Sequence, residues 1–163
     1  YYIDKQVQKI DNWNKTPDTM DVANFYGGDL EGVKAKIPYL KELGVTAVYL
    51  NPIFLAPSVH KYDCIDYFHV DPHFGGDEAL AELSRALHEN DMKLILDISI
   101  NHTGTAHRWF NRDGLFFEKS EGAFNNPDAL ERKFYFLKED NSYACWYDVP
   151  DLPTLNYTAE ELR

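Results

Sequence analysis

Leu30, Val33, Ile37, Leu40 and Leu43 recur at helical spacing, so 30–43 predicts one amphipathic helix, with Asp29 as N-cap and Gly44 where a C-cap glycine belongs. Val45-Thr46-Ala47-Val48-Tyr49-Leu50 follows directly, β-branched and aromatic, and stops at Asn51-Pro52, which predicts a buried strand. Residues 53–76 read as a long loop. A second helix is expected from about Asp77, with Leu80, Leu83, Leu87 and Met92 on its apolar stripe, and Lys93–Ile98 follows as a second apolar strand. Helix, strand, helix, strand with tight helix-to-strand joins is the βα repeat of a parallel sheet, so the fold class is α/β.

The second strand ends in Asp97, Ser99, Asn101 and His102. At a strand period of two, Leu94, Leu96, Ile98 and Ile100 share one face, while Ile95, Asp97 and Ser99 share the other. An acid thus enters what is expected to be a buried layer, where it needs a cationic or hydrogen-bonding partner. Residues 1–24 lack periodicity beyond a weak helical turn near Ile3 to Ile10. After His102 the rhythm breaks: 103–156 is rich in aromatics, Asn and Asp, with Phe134–Leu137 as its one expected short strand. An irregular insertion of that size is usually functional. Thr158–Glu161 then reads as the cap of a new helix.

Composition narrows the function. The 163 residues are 44% hydrophobic with a net charge of −11, so a sizeable core is expected and nucleic-acid binding is not. No apolar run approaches the ~20 residues that span a bilayer, so no membrane partner is expected. Cys64 and Cys145 leave one disulfide or two thiols open, with thiols favoured. The chain opens on Tyr1-Tyr2 without Met and reads as an excerpt; the expected location is the cytoplasm.

The candidate chemistry lies in the long loop and at the strand tip. His60-Lys61-Tyr62-Asp63 and Asp66–Pro72 lack metal-ligand spacing, whereas a pyranose offers an apolar ring face to an aromatic and hydroxyls to Asp, His and Asn. Tyr62, between polar residues, is the better binding candidate; Tyr67, Phe68, Val70 and Phe74 are expected to anchor the loop to the core. His102 reads either as a packed histidine with one satisfied nitrogen or as a ligand contact. Trp109, Trp146 and Tyr147 either stack on sugar or form the insertion's core, with core as the default. Asn101 is a candidate oxygen donor to calcium.

By these residues the chain resembles the α-amylase superfamily of glycoside hydrolases, and within it the neopullulanase, cyclomaltodextrinase and maltodextrin glucosidase group. The resemblance rests on Gly27-Gly28-Asp29-Leu30, on Gly44-Val45-Thr46-Ala47 through Asn51-Pro52, and on His60-Lys61-Tyr62-Asp63. It continues through Asp66-Tyr67, Val70-Asp71-Pro72 with Phe74-Gly75, and Asp97 with Asn101-His102; Leu152–Asn156 is similar to the signature ending the inserted domain. It implies a partial (β/α)8 TIM barrel, about strands two and three with their helices, carrying an inserted irregular domain B. The expected division is 1–24 lead-in, 25–102 barrel segment, 103–156 insertion and 157–163 return to the barrel.

The resemblance further implies that Tyr62 stacks on the sugar at the cleavage subsite, that His102 hydrogen-bonds it, and that Asp97 organises the site. Asn101, and separately Gly27 with Asp29, would contribute to calcium sites. The expected partner is an α-glucan oligosaccharide such as maltodextrin, cyclodextrin or pullulan, with a homo-oligomer left open. The family cleaves with retention through carboxylates after the fourth, fifth and seventh strands. These would follow Arg163, so no catalytic residue is expected here and the isolated chain is expected to be inactive. A non-catalytic carbohydrate-binding or regulatory module is the alternative.

Overall fold

The predicted first helix is split in two. In the computed structural model, which describes residues 7–16, 22 and 24–163, α1 spans Leu30–Ala35 and α2 spans Ile37–Glu42, with Lys36 between them. Pro38 lies in the first turn of α2; it has no N–H to donate and its ring collides with a carbonyl one turn back, so a continuous helix through it is blocked. The ends behave as expected. Asp29 caps α1 by accepting from the Gly32 N–H at 2.7 Å, and Gly44 takes φ +77° just past α2.

The chain forms two compact units: residues up to 61 with 67–98, and 62–66 with 99–163. In the first, β1 (Ala47–Leu50) and β4 (Lys93–Leu96) pair in parallel, Ala47 opposite Lys93 and Leu50 opposite Leu96. The ladder runs on at both ends, Lys93 N–H to Thr46 O at 2.9 Å and Asp97 N–H to Leu50 O at 3.1 Å. Between them come β2 (Phe54–Leu55), its partner β3 (Asp66–Val70), and α3 (Gly76–Glu89). The β2–β3 pair lies inside the stretch expected to be loop; β2 is too short to carry a readable alternation.

Helix α3 packs Leu83 and Leu87, both fully buried, with Ala79 against Leu30, Ile37, Ile53, Val70 and Met92. Each such leucine stabilises the unit by about 1.5–3 kcal/mol. The strands are less buried than expected. Val48, Leu50, Leu94 and Leu96 face this core, but Tyr49 is 57% and Ile95 46% exposed, so the face that carries Asp97 is open. A two-stranded sheet covered by helices on one side alternates rather than burying both faces. Phe68, expected as a core anchor, is 89% exposed, whereas Val70 is buried.

A buried ion pair sits beside this core. Lys61, at φ +63°, directs Nζ to a carboxylate oxygen of Asp71 and to Ala56 O at 2.9 Å; both side chains are wholly buried. Asp71 also accepts from the His73 backbone N–H at 2.9 Å and its ring Nδ1 at 2.7 Å. The Lys61 ammonium lies 4.5 Å from the Phe25 ring centre, and that ring stacks on His73 at 4.4 Å.

The second unit is an aromatic assembly with little regular structure. Phe110 and Ala123 are fully buried, and Phe110 meets Tyr135 and Tyr143 edge-on, each at 4.8 Å. Side chains replace the missing ladder: Asn111 donates its amide to Glu118 O at 2.8 Å and Glu121 O at 3.0 Å, and Asn125 donates to Asn111 O at 2.7 Å. The strand expected over 134–137 is instead the end of a 3-10 turn followed by isolated bridges, Tyr135 to Leu155 and Leu137 to Tyr143. The expected cap at Thr158 is also displaced. Asn156 Oδ1 accepts from the Thr158 N–H at 3.1 Å, and only a 3-10 turn follows, over Glu160–Leu162. Cys64 and Cys145 are free thiols. The weak turn expected over 3–10 falls partly outside the described residues, and 7–10 is not helical.

Removing one member of the Lys61–Asp71 pair strands a buried charge. Lys61→Met is expected to destabilise by about 3–5 kcal/mol, with Lys61→Met/Asp71→Leu recovering a large part, as urea unfolding of the single and double variants would show.

Candidate functional site

Tyr62 and His102, forty positions apart, are brought together within the second unit. The Tyr62 carbonyl accepts from His102 Nε2 at 3.0 Å and from the Ser99 hydroxyl at 3.2 Å. A carbonyl only accepts, so Nε2 carries the proton. Burial pushes the His102 imidazole below its ordinary pKa, against the Tyr62 bond and the charge of Asp63, so the ring is neutral at pH 7. Gly104 completes the junction: its N–H donates to Cys64 O at 2.9 Å, and a Cβ there would lie 2.3 Å from Asp63 O. Only glycine lets the strand tip approach the 62–64 backbone so closely.

The segment Leu152–Asn156 backs this tip. His102 bridges Thr154, Thr103 N–H donates to Pro153 O at 3.2 Å, and Leu155 N–H donates to Asn101 O at 2.9 Å. Thr103 is buried with its hydroxyl 2.9 Å from that of Tyr135. Tyr62 is 36% exposed and His102 only 3%, so the tyrosine presents surface and the histidine holds it. The Trp146 ring tilts against His102 at 5.6 Å.

The remaining expected residues are placed as follows. Asp97, in the first unit, is half-buried and hydrogen-bonded by the Tyr49 hydroxyl; that bond is the main reason the Tyr49 pKa is raised. Asp97 thus finds the hydrogen-bonding partner it required, but in an open layer rather than a buried one. Trp109 packs edge-on against Phe134 at 5.3 Å as part of the second core. Trp146 and Tyr147 do not follow the core default: they are 43% and 82% exposed.

The described side chains do not by themselves support the calcium expectation. Calcium takes six to eight oxygens. Asn101 is exposed and its main-chain carbonyl accepts from the Leu155 N–H at 2.9 Å, and one Asp29 carboxylate oxygen caps α1. Among the described residues no group of three or more His, Cys, Asp or Glu side chains is arranged to hold a metal. Asn101 lies in one unit, Gly27 and Asp29 in the other, and neither set makes a complete ligand shell among the described residues.

Comparison with known proteins then settles the family, because residues 6–163 match the alpha amylase catalytic domain. The chain belongs to the alpha-amylase family. It is 40% identical over 149 residues to an intracellular maltogenic amylase of Bacillus subtilis, covering 88% of this chain and 24% of that protein. To a maltogenic alpha-amylase of Bacillus acidopullulyticus it is 52% identical over 133 residues, covering 82% of this chain and 19% of that protein. Among solved structures, the cyclic alpha-maltosyl-(1→6)-maltose hydrolase of Arthrobacter globiformis in complex with maltose superimposes with a TM-score of 0.80. Its identity is 27%, covering 96% of this chain and 35% of that one.

The chain therefore spans about a quarter of the length of the first of these relatives. Membership makes the β1, α3 and β4 unit a part of the (β/α)8 barrel of this alpha-amylase family, with no closed barrel among the described residues. No helix among them is long and apolar enough to cross a membrane. Ser99, Gly104 and Thr154 were missed as parts of the site. Ser99 was visible only as a polar strand-tip residue, and nothing in sequence distinguishes a glycine needed for close approach from one in a turn.

A second buried histidine makes this unit acid-sensitive. His107 is 7% exposed, accepts from the Trp109 N–H at 3.2 Å through Nδ1, and is pushed by burial to about 4, Asp66 opposing. It is neutral when folded, while the unfolded chain takes up the proton below about 6.5. Its contribution is fully present above about pH 6.5 and is lost as pH falls from there towards 4, by at most about 3 kcal/mol. His102 adds the same sign. Urea unfolding at pH 7.5, 6 and 5 should show falling stability, and His107→Gln should flatten that slope; a slope unaltered in the variant would remove the assignment.

Proposed function

We propose that this chain is one wall of the substrate pocket of a retaining α-glucan hydrolase acting on maltodextrin, cyclodextrin or pullulan. The observation that carries the reading is the half-exposed Tyr62, its main chain held by a neutral His102, in a chain of the alpha-amylase family. The phenol ring offers an apolar face to a pyranose, and a neutral donor network suits an uncharged ligand better than an ionic one. A net charge of −11 agrees, since it repels polyanions and is indifferent to glucans.

In this reading Tyr62 stacks on the glucosyl unit at the scissile bond. His102 fixes the tyrosine in place and lines the same edge, and Asp97 organises the strand tips. Retaining hydrolysis needs a nucleophilic carboxylate and an acid–base partner about 5–5.5 Å away. We assign neither to residues 1–163. The division into a barrel segment over 25–102 and an inserted domain over 103–156 belongs to the same proposal, as does an intracellular location, which the name of the Bacillus subtilis relative states for that protein.

Purified residues 1–163 are expected to release no glucose or maltose from maltotriose; measurable turnover would place the carboxylates within this chain. In the full-length protein, Tyr62→Ala should weaken maltotriose binding about 10-fold or more, about 1.4 kcal/mol, with Tyr62→Phe close to the parent. His102→Ala leaves the buried Tyr62 carbonyl short of a donor and should lower both affinity and turnover. Calorimetric titration with maltotriose beside steady-state rates checks all three. Binding without turnover in the parent would favour the carbohydrate-binding module instead.

A further inference from the structure

Arg112 spreads its guanidinium over four residues. Nη1 donates to the Tyr143 hydroxyl at 3.0 Å and to Pro150 O at 3.4 Å, and Nη2 donates to Asp151 Oδ1 at 3.1 Å. Nε donates to the neighbouring Asp113 at 3.0 Å. The Tyr143 hydroxyl in turn donates to Pro150 O at 2.8 Å. The backbone of Arg112 is fixed on both sides: its N–H donates to Thr105 O at 3.0 Å, and its carbonyl accepts from Asn125 Nδ2 at 3.1 Å.

The segment so clamped leads into the backing of the strand tip. Residues 143–151 are held as turns and isolated bridges, with a 3-10 turn over Trp146–Asp148, so side chains rather than a ladder set where the segment lies. Asp151 is held twice, by Arg112 at its carboxylate and by the Thr105 N–H at its carbonyl, 3.2 Å away. Two residues on, Pro153 O accepts from the Thr103 N–H at 3.2 Å, and the Leu155 N–H donates to Asn101 O at 2.9 Å. His102 lies between those two bonds, and its Nε2 donates to the Tyr62 carbonyl at 3.0 Å. A shift of the 150–153 chain is therefore passed to His102, and from it to Tyr62.

We propose that Arg112 is a positioning residue for the Tyr62–His102 junction: by clamping Pro150 and Asp151 it fixes the start of Leu152–Asn156 against residues 101–105, and so sets how Tyr62 meets the sugar. This rests on the α-glucan reading above. Arg112 acts through Asp151 and His102, and we assign it no contact with sugar. The Asp151 side chain is 67% exposed, so the ion pair alone contributes little. The effect comes from one planar group held to three acceptors of the same segment, which fixes direction as well as distance; a lysine ammonium lacks that fan.

The test is a double-mutant cycle in the full-length protein: Arg112→Met, Tyr62→Ala and the two together, with kcat and KM on maltotriose and thermal unfolding of each. Arg112→Met is expected to lower kcat/KM about 10-fold where Tyr62 is present and less than about 2-fold in Tyr62→Ala, because the arginine then has no ring to place. An equal loss in both backgrounds, or no loss in the parent, would overturn the assignment and leave Arg112 as a structural contact. Asp151→Asn, at an exposed position, decides the matter if Arg112→Met does not fold. A loss of about 3-fold that disappears in Tyr62→Ala supports the clamp, whereas an unchanged kcat/KM, or the same loss in Tyr62→Ala, overturns it. A parent that neither binds nor cleaves maltotriose overturns the α-glucan reading and the clamp with it; an active parent impaired by Tyr62→Ala and not by Arg112→Met overturns the clamp alone.

Discussion

The Lys61–Asp71 pair is the constraint on which the first unit's loop depends. Two fully buried charges repay their desolvation only when each is paired and further hydrogen-bonded, and here both conditions are met by Ala56 O, the His73 backbone and ring, and the face of Phe25. The pair closes a loop between positions 61 and 71, and Lys61 itself has a left-handed backbone. Lys61 is the residue directly before Tyr62. This cation of the long loop is thus buried and paired.

From that point a chain of neutral contacts takes over. The Tyr62 carbonyl is held twice, by Ser99 and His102, and Cys64 O is held once, by Gly104, so three donors from 99–104 fix the 62–64 backbone. The tip is itself backed by Leu152–Asn156 through main-chain bonds. Charge fixes the loop in one unit and uncharged hydrogen bonds fix the aromatic in the other. Uncharged donors around the tyrosine suit a ligand without charge.

Much of this was legible in the sequence where periodicity or side-chain chemistry is local. The apolar stripe of α3, the cap at Asp29 and the parallel pairing of the two strands all followed from spacing and motif. What was misread depends on geometry that a linear pattern does not encode. Pro38 broke a helix whose heptad-like stripe runs through it, and two strands covered on one side exposed Tyr49 and Ile95. Phe68 points outward, as does His69, from a strand in which Val70 alone is buried. Trp146 and Tyr147 were expected as core by default, and both are exposed.

The central claim is that Tyr62, its main chain held by His102, forms a sugar-facing wall of an α-glucan site. The most direct measurement is a crystal structure of the full-length protein soaked with a maltooligosaccharide. A glucosyl ring stacked on the Tyr62 phenol, with His102 still bonded to the Tyr62 carbonyl, is the predicted result. Sugar bound elsewhere, with Tyr62 facing solvent or protein alone, would contradict it.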